Sequence, residues 1–209
     1  PNDQGYYESY NTSVLFSDKK DPEFIHKSKL VLGVEKIPFN NFFPWLEDLA
    51  INLDGASGSL GVEEKPKSFS IDSLKFTSTV CYESVYGEFV SDQVRSGAQF
   101  ITVITNDGWW GDTPGYKQHA SFSRLRALEN RRSLARSANT GISSFINQRG
   151  EIVSKTRWDE ARVLKGEINK NNKLTLYTKY GDILGLFFTS ICVLLIGFIL
   201  LKILFKKKD

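Results

Sequence analysis

The sequence predicts an α/β domain built on a mixed sheet, followed by one transmembrane helix. Three observations predict it. Residues 75–105 read as strand, helix and strand, residues 137–156 read as two more strands, and Ile183–Leu201 runs for 19 residues without a charge. Strand, helix and strand within about 30 residues form a βαβ unit, which implies parallel pairing.

The elements follow in order. Residues 52–68, "NLDGASGSLGVEEKPKS", are rich in Gly, Ser and charge and read as a surface loop. Lys75 to Cys81 has the Thr and Val enrichment of a strand. Val85, Phe89, Val90 and Val94 repeat at helical spacing, with Gly97 as the C-terminal cap. Phe100 to Thr105, "FITVIT", is too apolar to alternate and is expected to be covered on both faces. In "NDGWWGDTP", Asp112 or Thr113 caps the next helix, with Pro114 near its first turn. Phe122, Leu125 and Leu128 mark that helix's inner face. "SANTGISSFINQRGEIVSKT" then gives two strands joined by a turn at Gln148–Gly150. The active face of such a sheet lies at the carboxyl ends of its parallel strands, where Cys81 and Asn106–Asp107 both fall.

At about 1.5 Å per residue, the uncharged run approaches the roughly 30 Å of a bilayer core. Tyr177 and Tyr180 precede it as interfacial anchors, and Lys206, Lys207 and Lys208 follow it. The expected organisation is a domain over 1–180, a span over 183–205 and a basic tail over 206–209. Lysines favour the cytoplasmic side, so the domain is expected outside the inner membrane. Cys192 then lies within the span, which leaves Cys81 without a disulfide partner. A chain with no methionine that begins at Pro1 is expected to be a piece of a longer protein.

The net charge of +3 is too small to argue for a polyanion, and no nucleic-acid partner is expected. Arg124, Arg126, Arg131, Arg132 and Arg136 could form a phosphate-binding patch. Ion pairs and capped carbonyls are the simpler reading, since Glu129 and Asn130 are at hand. No metal-ligand cluster or nucleotide loop is present, so no metal and no cofactor is expected.

From residues alone, Cys81 is either a packing residue or a nucleophile. At a strand-to-helix turn its thiol would be exposed, and the amide of Tyr82 would point toward an oxyanion formed at an attacked carbonyl. That geometry suits acyl transfer through a thioester, given a base and a cation. The histidines, His26 and His119, do not suggest a Cys–His pair. Lys27 and Lys29 precede an apolar segment and Glu35, and they read equally as a solvated strand edge.

"HKSKLVLGVEKIPF", "TVCYES", "ITNDGWWGDTPGYKQH" and "RLRALENRRSLARSANTGISSFINQRGEI" resemble successive blocks of the nitrilase, or carbon–nitrogen hydrolase, superfamily. They are most similar to its apolipoprotein N-acyltransferases, membrane enzymes that add the third acyl chain to bacterial lipoproteins. The resemblance covers about Tyr6 to Ile152, in order, with the membrane span placed where that family has its last one.

The resemblance implies a nitrilase-like α-β-β-α sandwich, here partial, and a Glu-Lys-Cys triad. Cys81 matches the nucleophile and Lys27 the lysine that stabilises the tetrahedral intermediate, while Lys29 falls where no lysine is required. Glu35 matches a second important glutamate, and Tyr82 and Glu83 match the residues after the nucleophile. Asn106 is expected to support the site, and Trp109 and Trp110 to line the substrate entrance. A membrane phospholipid is the implied acyl donor and a diacylglyceryl lipoprotein the acceptor. The family's general-base glutamate belongs to an earlier block, with further membrane spans, and Glu8 does not match it. Residues 1–209 alone are therefore expected not to acylate. A membrane-tethered amidase or nitrilase would use the same triad, and an inactive scaffold would also fit a chain without its base.

Overall fold

The computed structural model describes residues 9–18, 20–36 and 60–206. Glu8, residues 52–59 of the predicted loop over 52–68, and Lys207 and Lys208 lie outside the described residues. The chain opens with an antiparallel hairpin, β1 (Thr12–Ser17) and β2 (Lys20–His26). A second hairpin pairs β3 (Ser68–Ile71) with β4 (Leu74–Thr77). Next come β5 (Thr79–Val80), a 3-10 turn over Cys81–Val85, α1 (Gly87–Arg95), β6 (Ile101–Asn106) and α2 (Pro114–Asn130). Three further strands follow: β7 (Leu134–Asn139), β8 (Ser144–Ile146) and β9 (Ile152–Lys155). Two helices end the described chain, α3 (Leu176–Tyr180) and α4 (Ile183–Lys206).

Strands β5 to β9 form one five-stranded sheet in sequence order. The pairings β5–β6 and β6–β7 are parallel, and β7–β8 and β8–β9 antiparallel, so the sheet is mixed as expected. Register puts Ile101 opposite Leu134 and Leu134 opposite Ile146. That row packs with Val103 against Phe89 and Val90 of α1 and Ala127 of α2 to make the core. Burying each such large aliphatic side chain contributes roughly 1.5–3 kcal/mol.

Several expectations need correction. The stretch from Lys75 to Cys81 is two strands, because the backbone leaves the β3–β4 hairpin at Ser78 and enters the main sheet at Thr79. Thr77 bridges the gap, its hydroxyl donating to Thr102 O at 3.2 Å and accepting from Thr102 N at 3.0 Å. Strand β6 is covered on one face only. Ile101 and Val103 are buried, whereas Ile104 is 42% exposed. Residues 137–156 were expected to hold two strands, but Leu134–Asn139 is a separate parallel strand ahead of the β8–β9 hairpin.

The inner face of α2 is also reversed. Leu125 and Leu128 are exposed, and Tyr116, His119, Ser123, Arg126, Ala127 and Asn130 are buried. Periodicity of apolar residues cannot find a helix whose buried face is mostly polar. That face is tolerated because its polar groups are hydrogen-bonded: Arg126 to Val85 O, Asn130 to Ser91 and Thr178, and Arg136 on β7 to Ser123. Thr113, not Asp112, caps the helix, accepting from Gly115 N, and Pro114 occupies its first turn.

The arginines are largely spent internally. Arg124 donates to Gly150 O, Arg126 pairs with Glu129, and Arg136 pairs with Asp107. Arg132 is buried, has no carboxylate partner among the described residues, and donates to the carbonyls of Ala98, Asn130 and Lys173. Burial pushes its guanidinium pKa down to about 10.

Helix α4 contains one segment, Ile183–Ile203, of 21 residues that is long and apolar enough to cross a membrane, and none of it is packed inside the protein. Its root is tied to the domain. Thr175 donates to Glu129 O at 2.5 Å, Thr178 donates to Asn130 Oδ1 at 2.9 Å, and Arg95 donates to Thr178 O at 2.6 Å. Gly181, at φ 72°, makes the turn between α3 and α4.

Candidate active site

Parallel pairing brings the ends of β5 and β6 together, with Val80 opposite Ile104. Immediately beyond Val80 the chain turns at Cys81, whose φ of 52° is left-handed. A non-glycine residue held there costs about 1–3 kcal/mol, and such strain concentrates at functional sites. The expected strand-to-helix turn is therefore present, but the cysteine sits on a 3-10 turn, and the α-helix begins only at Gly87.

Cys81 lies in the wall of a cavity of about 600 Å³. Val31, Val34, Val80, Tyr82, Ile104, Trp109 and Trp110 supply apolar surface, and Asn11, Thr12, Glu35, Thr105, Asn106 and His119 supply polar groups. Cys81, Glu35, Tyr82, Asn106, Trp109 and Trp110 are thus brought to one cavity. Trp109 is 76% exposed at its edge.

Lys27 and Glu83 stand behind that wall, both buried. Lys27 follows directly on β2 and continues its hairpin, donating its amide to Asn11 O at 2.7 Å. Its ammonium lies 2.8 and 2.7 Å from the two carboxylate oxygens of Glu35. A tight turn over Leu32–Lys36, with Gly33 at φ 84°, carries Glu35 back to it. Asn11 Nδ2 and the Val31 amide each donate to Glu35 at 2.8 Å. Burial works to raise the Glu35 carboxyl, but the bonds from Lys27 and Val31, the lysine charge and Asn11 outweigh it, leaving it below the usual carboxylate range. Lys29, the alternative lysine, is exposed and lies over the Tyr86 ring.

Glu83 joins the lysine segment to the cysteine turn. One carboxylate oxygen accepts from the amides of Ser28 at 2.6 Å and Lys29 at 3.2 Å, and the other from Val80 N at 2.8 Å. Burial pushes its carboxyl up, against the pull of those amides and of Lys27.

Sequence reasoning put Asp107 at the active face and Arg136 in an arginine patch, but it set His119 aside and did not join the three. His119 Nδ1 lies 2.8 Å from Asp107 Oδ1, and Arg136 Nη2 donates to Asp107 Oδ2 at 2.7 Å. The other ring nitrogen, Nε2, lies 3.1 Å from the Cys81 carbonyl oxygen and 3.2 Å from Ser84 Oγ. His119 thus meets the backbone of Cys81, which a search for a Cys–His side-chain pair does not find. Burial works to raise the Asp107 carboxyl, but the His119 bond and the Arg136 charge hold it below its ordinary value. The available signal was Asp107 at the end of a strand, twelve residues before a histidine on the capped helix.

The geometry offers a cysteine in a strained turn at a largely apolar cavity, with Glu35 in its wall paired to the buried Lys27. Comparison with known proteins gives the chain relatives. Residues 1–173 match the carbon-nitrogen hydrolase family. An apolipoprotein N-acyltransferase of Chlorobaculum tepidum is 38% identical over 182 residues, covering 85% of this chain and 34% of that protein. Another, from Wigglesworthia glossinidia brevipalpis, is 32% identical, covering 87% of this chain and 36% of that protein. The chain therefore spans about a third of the length of the curated relatives it matches. A nitrilase-superfamily protein of Saccharomyces cerevisiae superposes with a TM-score of 0.49 at 19% identity, over 72% of this chain and 50% of that one.

Proposed function

The chain belongs to the carbon–nitrogen hydrolase family, and on that premise we propose that it carries the nucleophile of a membrane N-acyltransferase of lipoprotein maturation. The observation that carries the reading is Cys81 at φ 52° in the wall of a largely apolar cavity, in a chain that also carries a helix able to cross a bilayer. An apolar cavity in a chain with a helix able to cross a membrane suits a fatty acyl chain better than a small soluble amide. The names of the relatives support the same reaction.

In this reading the Cys81 thiol gives its proton to a base and its sulfur attacks the ester carbonyl of a phospholipid. Lys27 and the Tyr82 amide stabilise the tetrahedral oxyanion. The ester C–O bond breaks, the lysophospholipid leaves with the proton, and the acyl group remains on sulfur as a thioester. The α-amine of a diacylglyceryl-cysteine lipoprotein then attacks the thioester, forming the amide and returning the thiol.

The base is not Glu35 or Glu83. Glu35 is held as a carboxylate by Lys27, Asn11 and the Val31 amide, and Glu83 is saturated by three backbone amides. We assign that role to a carboxylate beyond the described residues. Glu35 sets the lysine, Glu83 fastens its segment to the nucleophile turn, and Asn106, Trp109 and Trp110 shape the path of the lipid. Residues 1–180 form the catalytic domain on the periplasmic side of the inner membrane, 183–205 the span and 206–209 the cytoplasmic tail.

The test is product formation by the full-length gene product in detergent, given phospholipid and a diacylglyceryl-cysteinyl peptide. The expected product is the N-acylated peptide, lost in Cys81→Ser. Release of free fatty acid with no acylated peptide, or acylation of Cys81 by a soluble amide but not by phospholipid, would assign a hydrolase instead.

A further inference from the structure

The carbonyl oxygen of Cys81 is held from two directions. Ser84 Oγ donates to it from the same turn at 2.8 Å, and His119 Nε2 approaches at 3.1 Å from helix α2, 38 residues away. A carbonyl oxygen only accepts, so the contact is a hydrogen bond when Nε2 carries a hydrogen. The ring cannot rotate away, because Asp107 lies 2.8 Å from its other nitrogen and is itself bound by the buried Arg136. All three side chains, with Ser84, are buried. An ion pair placed this deeply is costly to assemble, and it anchors the ring to the sheet through β6 and β7.

The consequence lies in the peptide plane. The peptide unit that carries the Cys81 carbonyl also carries the Tyr82 N–H, and no peptide bond in the described chain is cis. In a planar trans peptide the C=O and N–H point in opposite directions. Whatever fixes the carbonyl of Cys81 therefore fixes the amide of Tyr82. The plane so fixed follows directly on Cys81, whose φ of 52° is a conformation its own side chain does not favour.

We propose that His119, fixed by Asp107 and Arg136, is a positioning residue that pins the Cys81 carbonyl and thereby aims the Tyr82 amide as oxyanion donor and the thiol as nucleophile. This rests on the acyl-transfer reading above. His119 takes no proton from the thiol. It presets the plane in which the oxyanion is received, so that no reorganisation is needed when charge develops. Helix α2 places His119 on its buried face, which accounts for the polarity of that face around the site.

The experiment compares His119→Ala and His119→Gln with the parent, using the full-length gene product in detergent. Glutamine can present an N–H donor near the position of Nε2. Two rates are measured at Cys81 by peptide mass: thioester formation from phospholipid, and alkylation by iodoacetamide, which forms no oxyanion. His119→Ala is expected to slow thioester formation at saturating lipid roughly ten- to hundredfold, the scale on which small misplacements at a reacting centre act. The half-saturating lipid concentration should stay the same, and alkylation should slow much less. His119→Gln is expected to recover most of the thioester rate. Equal losses in both rates, an unaffected His119→Ala, or a His119→Gln as slow as His119→Ala would overturn the proposal. A parent that forms no thioester would instead remove the acyl-transfer reading on which it rests.

Discussion

Lys27 and Glu35 form a two-pronged ion pair, the ammonium lying 2.8 and 2.7 Å from the two carboxylate oxygens. The lysine side chain is fully buried and the glutamate nearly so. Because Asn11 and the Val31 amide also donate to Glu35, the carboxylate can hold the lysine in one place. A cation meant to receive an oxyanion needs that kind of fixed support.

The pair is expected to be energetically coupled. Glu35→Gln leaves a buried ammonium without its counter-charge and should destabilise the protein by about 3–5 kcal/mol. Lys27→Met leaves Glu35 with two remaining donors and should cost less. The double substitution should be more stable than the sum of the singles implies, by at least about 1 kcal/mol. Thermal or denaturant unfolding of the three variants checks this, and strict additivity would dissolve the pair as a unit.

Acid should loosen the site. Asp107 and Glu35 both have their carboxyl groups held below the ordinary range in the folded protein. Such groups contribute stability that is fully present above their unfolded values, about pH 4, and lost as pH falls through the lower folded values. Unfolding followed by tryptophan fluorescence should show stability falling below about pH 4, and Asp107→Asn should flatten that fall. An unchanged acid profile in the variant would remove Asp107 from the explanation.

Gly141 guards the Asp107 side chain. A Cβ there would stand 2.3 Å from Asp107 Oδ2 and 2.6 Å from its Cβ, whereas one at Gly197 on α4 would meet nothing within 4 Å. Gly141→Ala is expected to cost about 1–3 kcal/mol, as overpacking does, and to slow thioester formation by displacing Asp107 and His119. Gly197→Ala should leave the domain's unfolding unchanged. Melting curves and Cys81 acylation rates for the two variants decide this.

The sequence made legible what depends on local pattern. The βαβ unit, the turn at Cys81, the Thr113–Pro114 helix start and the apolar run of α4 follow from propensity, capping and composition. Cys81, Lys27 and Glu35 were singled out by ordered blocks of resemblance, and the cavity brings Cys81, Tyr82, Glu35, Asn106 and both tryptophans together. What stayed hidden depends on contacts across the fold. Leu125 and Leu128 look like the inner face of α2, yet the buried face holds His119, Ser123, Arg126 and Asn130, each hydrogen-bonded to a partner that is distant in sequence. The break at Ser78 escaped for a similar reason, since it is bridged by contacts of Thr77 with Phe100 and Thr102, more than 20 residues away. His119 touches the backbone of Cys81, and no spacing rule encodes such a contact.

The acyl-carrying role of Cys81 is the centre of the account, and the mass of its peptide tests it most directly. The full-length gene product is incubated with a phospholipid bearing a labelled acyl chain, quenched in acid and digested. The predicted result is the Cys81 peptide heavier by one acyl group, released by hydroxylamine as a thioester is, and absent in Cys81→Ser. A labelled lipoprotein product formed while the Cys81 peptide never carries the label, or formed equally by Cys81→Ser, would contradict it.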